Sequence, residues 1–340
     1  MTPLKAVKVL ATASLILAAT MARAQSPEGM AHWNKATEAL KGNHYGAALP
    51  ELDAALAAFP NNPVVLATRG DIHLRMGHFE AALADLGAAI RSAGETKVAA
   101  RPLYQRAGLI MAKQPDVARR DIEHAVALDP DDSDAHYMLA ASLRREDPVR
   151  ALAEIDRAVA LHPAPAIYRE LRGMLRQEGG DLAGAKADLD LAVERDPKNF
   201  LVWSARASVN LERGDCRAAR SDASQAQVLY KNHPLDSVTE ALADVFLDDI
   251  AAAARLLREV AQHAPEEIAE RAWLGAATPD ALLSRIDRDA GRSPRAQLAW
   301  GMVAAARGDS ATARQHFDQA LKGDARLADQ VHLARRLFEL

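Results

Sequence analysis

One alanine recurs along the chain about every thirty-four residues. Ala48, Ala82, Ala118, Ala151, Ala185, Ala219 and Ala253 stand 34, 36, 33, 34, 34 and 34 positions apart. A second series follows seven residues behind: Ala55, Ala89, Ala125, Ala158, Ala192 and Ala226, closed by Val260. A single globular core has no use for such a period. A repeat of this length marks supersecondary units that cannot bury their apolar faces alone and must stack on their neighbours.

Each unit carries further marks. Twelve residues before the leading alanine stands another small residue, Ala36, Gly70, Gly173, Ala207 or Ala241, displaced by one to Ala107 and Ala140 in the third and fourth units. Twelve residues after it stands Pro60, Pro130, Pro163, Pro197 or Pro265, with Gly94 in the second unit and a late Pro234 in the sixth. Apolar side chains three and four apart in Leu66–Leu74 and Glu80–Ile90 predict two amphipathic helices per unit. Gly42, Gly77, Gly180 and Gly214 break the pattern between them, and glycine ends a helix by accepting the left-handed cap. Proline then stops the second helix. Alanines seven apart share one face, so the paired helices can approach closely. Hydrophobic residues make up 49% of the chain and aromatics only 4%, which suits close helix packing and not a sheet-rich core. A chain of 340 residues exceeds the usual single core, but repeats grow in one dimension.

At these residues the chain resembles the tetratricopeptide repeat family. The resemblance is carried by Gly173 with Asp181-Leu-Ala-Gly-Ala185 and Ala192-Val-Glu-Arg-Asp-Pro197, by Met76-Gly-His-Phe-Glu-Ala-Ala82, and by Gly301 through Gly308-Asp309 to Ala313 and Ala320; it covers roughly residues 29–325. It implies an all-α fold, a right-handed α-α superhelix of about eight helix-turn-helix repeats. The expected layout is repeats 1–7 over 25–265, a final repeat over 294–325 and a capping helix over 326–340. Between them, 266–293 is a degenerate repeat or a hinge, since Ala253 and Ala313 are 60 residues apart, eight short of two periods. The stack is expected to bend or break there.

Residues 1–24 differ in kind. Lys5 and Lys8 precede an apolar run, Val9–Thr20, and Ala22-Arg-Ala24 offers a small-x-small cleavage site before Gln25. This is the layout of a secretory signal peptide, too short to span a bilayer comfortably, and it predicts a periplasmic or secreted protein with no transmembrane segment after cleavage. Cleavage removes three basic residues and takes the formal charge from −4 to about −7, which gives nucleic-acid binding no support. Cys216 is the only cysteine, so no internal disulfide forms; it reads as a small core residue, or as a thiol for intermolecular pairing.

Catalytic, cofactor and metal motifs are absent: no Gly-rich phosphate loop, H-E-x-x-H, Cys-x-x-Cys or G-x-S-x-G occurs. The eleven histidines are scattered, mostly beside turns (His44, His78, His162, His233). Asp129-Pro-Asp-Asp-Ser-Asp134 lacks the glycine and terminal glutamate of a calcium loop and reads as a turn that caps the next helix. The repeats leave no room for a catalytic domain, so the expectation is a non-enzyme without cofactors.

The resemblance implies that first helices line a concave surface for a protein partner. That face would carry Trp33, Asn34, Arg101, Tyr104, Tyr137, Arg144, Arg145, Glu170 and Glu178. Arg101, Tyr104, Tyr137 and Arg144 would form a basic-aromatic patch for an acidic or extended peptide, unless the tyrosines pack between helices and the arginines are solvated. Terminal-carboxylate capture by lysines and asparagines is not expected, because Trp33, Thr37, Val64 and Thr68 occupy the positions it needs. The expected role is an interaction scaffold of the bacterial periplasm or envelope, peripherally associated with an envelope complex. The alternative is a module for a glycan or other small envelope ligand, which so few aromatics make thin.

Overall fold

The computed structural model describes residues 26–231, 233–263 and 294–340, so residues 1–24 and 266–293, where a signal peptide and a degenerate repeat or hinge are expected, lie outside the described residues. Among the described residues all regular structure is helical, arranged as hairpins of a first and a second helix. The chain divides into two compact units between Leu161 and His162. The first unit holds α1 (Pro27–Lys41) with α2 (Tyr45–Ala58), α3 (Pro63–Arg75) with α4 (Phe79–Ala93), α5 (Ala100–Ile110) with α6 (Pro115–Leu128), and α7 (Ser133–Leu143) with α8 (Pro148–Leu161). The second holds α9 (Ala166–Glu178) with α10 (Leu182–Arg195), α11 (Phe200–Glu212) with α12 (Cys216–Leu229), α13 (Pro234–Phe246) with α14 (Ile250–His263), α15 (Pro294–Ala306) with α16 (Ser310–Gly323), and a last helix α17 (Ala328–Leu337).

The turn inside each hairpin explains the displaced small residues. In the pairs whose small residue precedes the alanine by twelve, the N–H after the turn donates to a carbonyl five residues back: His44 to Ala39, His78 to His73, Asp181 to Arg176, Asp215 to Asn210. This closure requires one left-handed residue. Gly77, Gly180 and Gly214 supply it, at φ of 77°, 88° and 79°. Gly42 does not: its φ is −89°, and Asn43 takes the left-handed position at 56°. In the third and fourth pairs the closure is one residue shorter, Gln114 to Ile110 and Asp147 to Leu143. The displacement to Ala107 and Ala140 is therefore a one-residue deletion in the turn, and it leaves the helices in register.

Both alanine series and the small residues facing them are fully buried, at 0% exposure from Ala36 and Ala48 to Ala313 and Ala320, apart from the glycines and Val260 at 7%. Helix starts are set by short polar caps. Asn62, Asp132 and Asn199 accept backbone N–H groups at the start of first helices, and Asp181, Asp215 and Asp309 do so for second helices. Asp129 and Asp131 pair with Lys97 and Arg157, so the acidic run is used as a charged capping turn. Cys216 is half-buried against the apolar core, and burial raises its thiol pKa.

In the second unit one apolar cluster joins α11 through α17, with Leu242, Leu257, Met302, Phe317 and Val331 at its centre. α15 packs on α13 and α14, and α17 covers α14 and α16. α13 is buried on most of its surface and brings Asp236 and Asp244 in with it. Burial raises the Asp244 pKa to about 6, with Arg220 pulling the other way and Asp249 and Glu240 adding to the rise. An acid with a raised folded pKa binds its proton more tightly in the fold. Its contribution is full below the unfolded value near 4 and lost as pH rises through 6. Asp244→Asn should therefore raise the Tm at neutral pH, with the gain vanishing near pH 4; a gain that is the same at both pH values would show another cause.

Candidate functional site

A polar link crosses most hairpins beside the buried seam, and it decides which surface charges are already committed. In four pairs the residue before the small seam residue is arginine, and the residue three after the leading alanine is aspartate. Arg69 grips Asp85 through Nε and Nη2 at 2.7 and 2.6 Å. Arg106 grips Asp121 at 2.7 and 2.7 Å, Arg172 grips Asp188 at 2.7 and 2.6 Å, and Arg206 grips Asp222 at 2.8 and 2.7 Å. These are two-point guanidinium–carboxylate bonds between half-buried arginines and buried aspartates, the geometry in which arginine is strongest. Arg69 and Arg206 also reach Asp53 and Asp190 on the preceding second helix.

Where that arginine is missing, a residue one turn earlier makes the link. Lys35 and Leu139 hold the arginine position in the first and fourth pairs, and there His32 reaches Glu51 and His136 reaches Glu154, each at 2.6 Å. In the α15/α16 pair Trp300 holds it, and Gln297 meets His316 at 2.7 Å. In the α13/α14 pair Glu240 turns instead to Ser224 and Gln227 of α12. Sequence reading missed these links, although the arginine beside the seam residue and the aspartate three after the alanine recur visibly.

First helices of neighbouring pairs touch within each unit, α3 with α5 and α5 with α7, α9 with α11 and α11 with α13. Gln105 donates to Asp71 at 2.9 Å, and Gln177 donates to Ser208 at 2.8 Å. The predicted partner residues fall unevenly on this strip. Trp33 is 1% exposed, packed with Ala36, Leu52, Phe59 and Val65, so it belongs to the core and not to the partner face. Its flat apolar ring fills the first hairpin, where the notion of an exposed anchor fails. Asn34 and Arg145 are exposed; Tyr137, Arg144, Glu170 and Glu178 are half-buried. Tyr104 lies against the apolar cluster of Leu103 and Ala135.

Arg101 is half-buried and pairs with Asp71 at 3.4 Å, and Asp71 also accepts from Arg75 at 3.0 Å. Burial works against the Arg101 charge, but Asp71, with Tyr104, Asp134 and Asp132, more than offsets it and raises its pKa. The expected basic patch is thus charge-balanced around Arg101 by acids that the sequence reading had left out of it. Glu170 and Glu178 stand on α9, in the second unit.

A tetratricopeptide repeat family model matches residues 112–166, which span α6 and α7 to α8 and the start of α9. Among solved structures, a tetratricopeptide repeat protein from Parabacteroides merdae is similar with a TM-score of 0.50 and 15% identity, covering 77% of this chain and 99% of that one. The chain has the fold of tetratricopeptide repeat proteins, with a repeat of that family at residues 112–166. Two other solved structures are similar at lower scores. The Pseudomonas aeruginosa protein pilF gives a TM-score of 0.47 at 20% identity, covering 66% of this chain and 92% of that one. YrrB, a TPR protein with an unusual peptide-binding site, gives 0.42 at 21% identity, covering 54% and 95%. No curated protein matches the chain in sequence.

Proposed function

We propose that this tetratricopeptide repeat protein is a non-enzymatic protein–protein interaction scaffold of the bacterial periplasm or cell envelope, holding a partner segment on the face of its first helices. The observation that carries the reading is the division of labour among side chains. The seam is filled by alanine and glycine throughout the described hairpins, and four of them share one arginine–aspartate link, so these positions are committed to the scaffold. The side chains that vary from unit to unit, such as Asn34, Tyr137 and Glu170, stand on first helices, and first helices touch their neighbours from α3 to α7 in the first unit and from α9 to α13 in the second. Repeated scaffold with a varied strip is the arrangement of a recognition surface. Export is supported by the basic start, apolar run and Ala22-Arg-Ala24 of the first 24 residues. Among the described residues no helix is long and apolar enough to cross a membrane.

The test is site-specific photo-crosslinking in intact cells, with the probe at Asn34 or Tyr137 on first helices and, as a control, at Val149, which is 81% exposed on the second helix α8. A discrete adduct from the first-helix positions and none from Val149 is expected. Adducts of equal yield from Val149 would overturn the partner face. The same cells test export: the mature chain should begin at Gln25 in the periplasmic fraction, and a cytoplasmic chain that begins at Met1 would overturn it.

A further inference from the structure

We propose that the turn of the α3/α4 hairpin holds a divalent metal ion of the zinc type, chelated by the Nδ1 atoms of His73 and His78. The site goes beyond the partner face and does not rest on it. The His78 backbone N–H donates to the His73 carbonyl at 2.8 Å, across the left-handed Gly77. That closure sets two residues five apart side by side. In the other hairpin turns closed in this way the same positions hold Ala39 and His44, Arg176 and Asp181, Asn210 and Asp215, Asp244 and Asp249, and Ala304 and Asp309. Among these turns the α3/α4 turn alone carries imidazole at both positions.

The neighbouring hairpins explain how each ring is aimed. At the first position the side chain reaches the buried aspartate of the arginine–aspartate link. Arg176 Nη1 donates to Asp188 Oδ2 at 2.7 Å, and Asn210 Nδ2 donates to Asp222 Oδ2 at 2.8 Å. His73 follows the same course, with Nε2 3.9 Å from Asp85 Oδ2. Its Nδ1 is left to face the turn. At the second position Asp181, Asp215, Asp249 and Asp309 cap the second helix with their carboxylates. His78 makes no such bond to the start of α4. Its ring meets His73 instead, with centroids 5.6 Å apart, planes at 46° and the two Nδ1 atoms 3.4 Å apart.

That separation is long for a hydrogen bond and right for a chelate. Imidazole nitrogens bind zinc at about 2.0–2.1 Å, so two of them on a tetrahedral ion stand about 3.3–3.4 Å from each other. At most one Nδ1 can hold a proton toward the other. The ion takes that proton's place, and the proton moves to Nε2 of the same ring. Asp85 behind His73 is the outer carboxylate that orients a metal-bound imidazole. The adjoining cations are already matched, Arg69 by Asp85 and Arg75 by Asp71. Two neutral nitrogens favour zinc, nickel or copper over calcium and magnesium, which take oxygen. Among the described residues no group of three His, Cys, Asp or Glu side chains is placed to hold an ion, so water fills the remaining positions and the ion exchanges with solvent. The pair escapes a search for ligands on one helix face, where the spacing is three or four and not five across a turn.

The test is calorimetric titration of the untagged chain with zinc chloride alone, alongside long-range ¹H–¹⁵N spectra of its histidines. Two variants each remove one ligand and keep the turn. His73→Asn installs the residue found at Asn210, and His78→Ser puts a capping hydroxyl at the start of α4. Thermal melts of both should match the parent. His44→Ser, which removes the histidine opposite Ala39, is the control. A saturable site with Kd on the order of 10 µM is expected, weakened at least about tenfold in His73→Asn and in His78→Ser and unchanged in His44→Ser. Zinc should move the Nδ1 resonances of His73 and His78 far more than their Nε2 resonances. No saturable binding below about 1 mM, an affinity that neither ligand variant changes, an equal loss in His44→Ser, or ligation through Nε2 overturns the proposal. Crosslinking at Asn34 and Tyr137 reads the partner face separately, so the two proposals fail independently.

Discussion

Asp188→Ala is expected to destabilise the second unit by about 3 kcal/mol or more, the usual cost of leaving buried charges without their partner. Asp188 is 2% exposed and serves three cations from α9: Arg172 by two bonds, Arg176 Nη1 at 2.7 Å and Arg169 Nη1 at 3.4 Å. Alanine removes the carboxylate and leaves three guanidinium groups, each more than two-thirds shielded, facing one another. Two comparisons separate this from general damage. Asp53→Ala removes a link from Arg69 whose carboxylate is 62% exposed, and should cost no more than about 1 kcal/mol. Replacing Arg172 and Asp188 together, by Met and Leu, should cost less than Asp188→Ala alone, because an apolar pair does not need the counter-charge. Native-state hydrogen exchange of the α9 and α10 amides measures the loss locally, which suits a repeat array whose melting need not be two-state. Equal protection losses in Asp188→Ala and Asp53→Ala would show that the link is ornamental.

The same residues show why some of this molecule was legible in its sequence and some was not. The alanine series could be read because steric exclusion acts on identity: only small residues fit a seam at 0% exposure, so the pattern survives in every unit. The one-residue displacement at Ala107 and Ala140 was visible for the same reason, and only its cause, a shorter turn closure, needed coordinates. Left-handed turn residues were half legible, since Asn43 can adopt the conformation expected of Gly42. Charged residues were the least legible. Arg69 and Asp85 look like ordinary surface charges until the hairpin brings residues 16 apart into contact. Arg101 read as part of a basic patch because Asp71, which balances it, lies 30 positions earlier. Trp33 read as an anchor because aromatic identity fits both a core and an interface, and burial alone decides between them. Resemblance put the expected partner face on the first helices, while burial and ion pairing decide which of its expected residues reach the surface.

Gly301→Val should have an effect as large, about 3 kcal/mol, at the upper end of what overpacking a core costs. A side chain built at Gly301 would place its Cβ 2.5 Å from two carbons of the Phe317 ring and 3.2 Å from the Ala313 carbonyl oxygen. The ring cannot swing away, because Phe317 is fully buried in the cluster that joins α11 to α17. The backbone of α16 cannot retreat without opening the seam at Ala313. Position, and not glycine as such, should determine the outcome. Gly46→Ala meets nothing within 4 Å in the first turn of α2, so there the lost chain entropy of glycine should dominate and stabilise by about 0.5 kcal/mol. Gly301→Ala combined with Phe317→Leu should recover much of the loss from Gly301→Ala alone, since the nearest obstruction is the ring. If the double variant melts no higher than the single one, the carbonyl at Ala313 sets the approach of the two helices, and the seam is limited by backbone contact at that point.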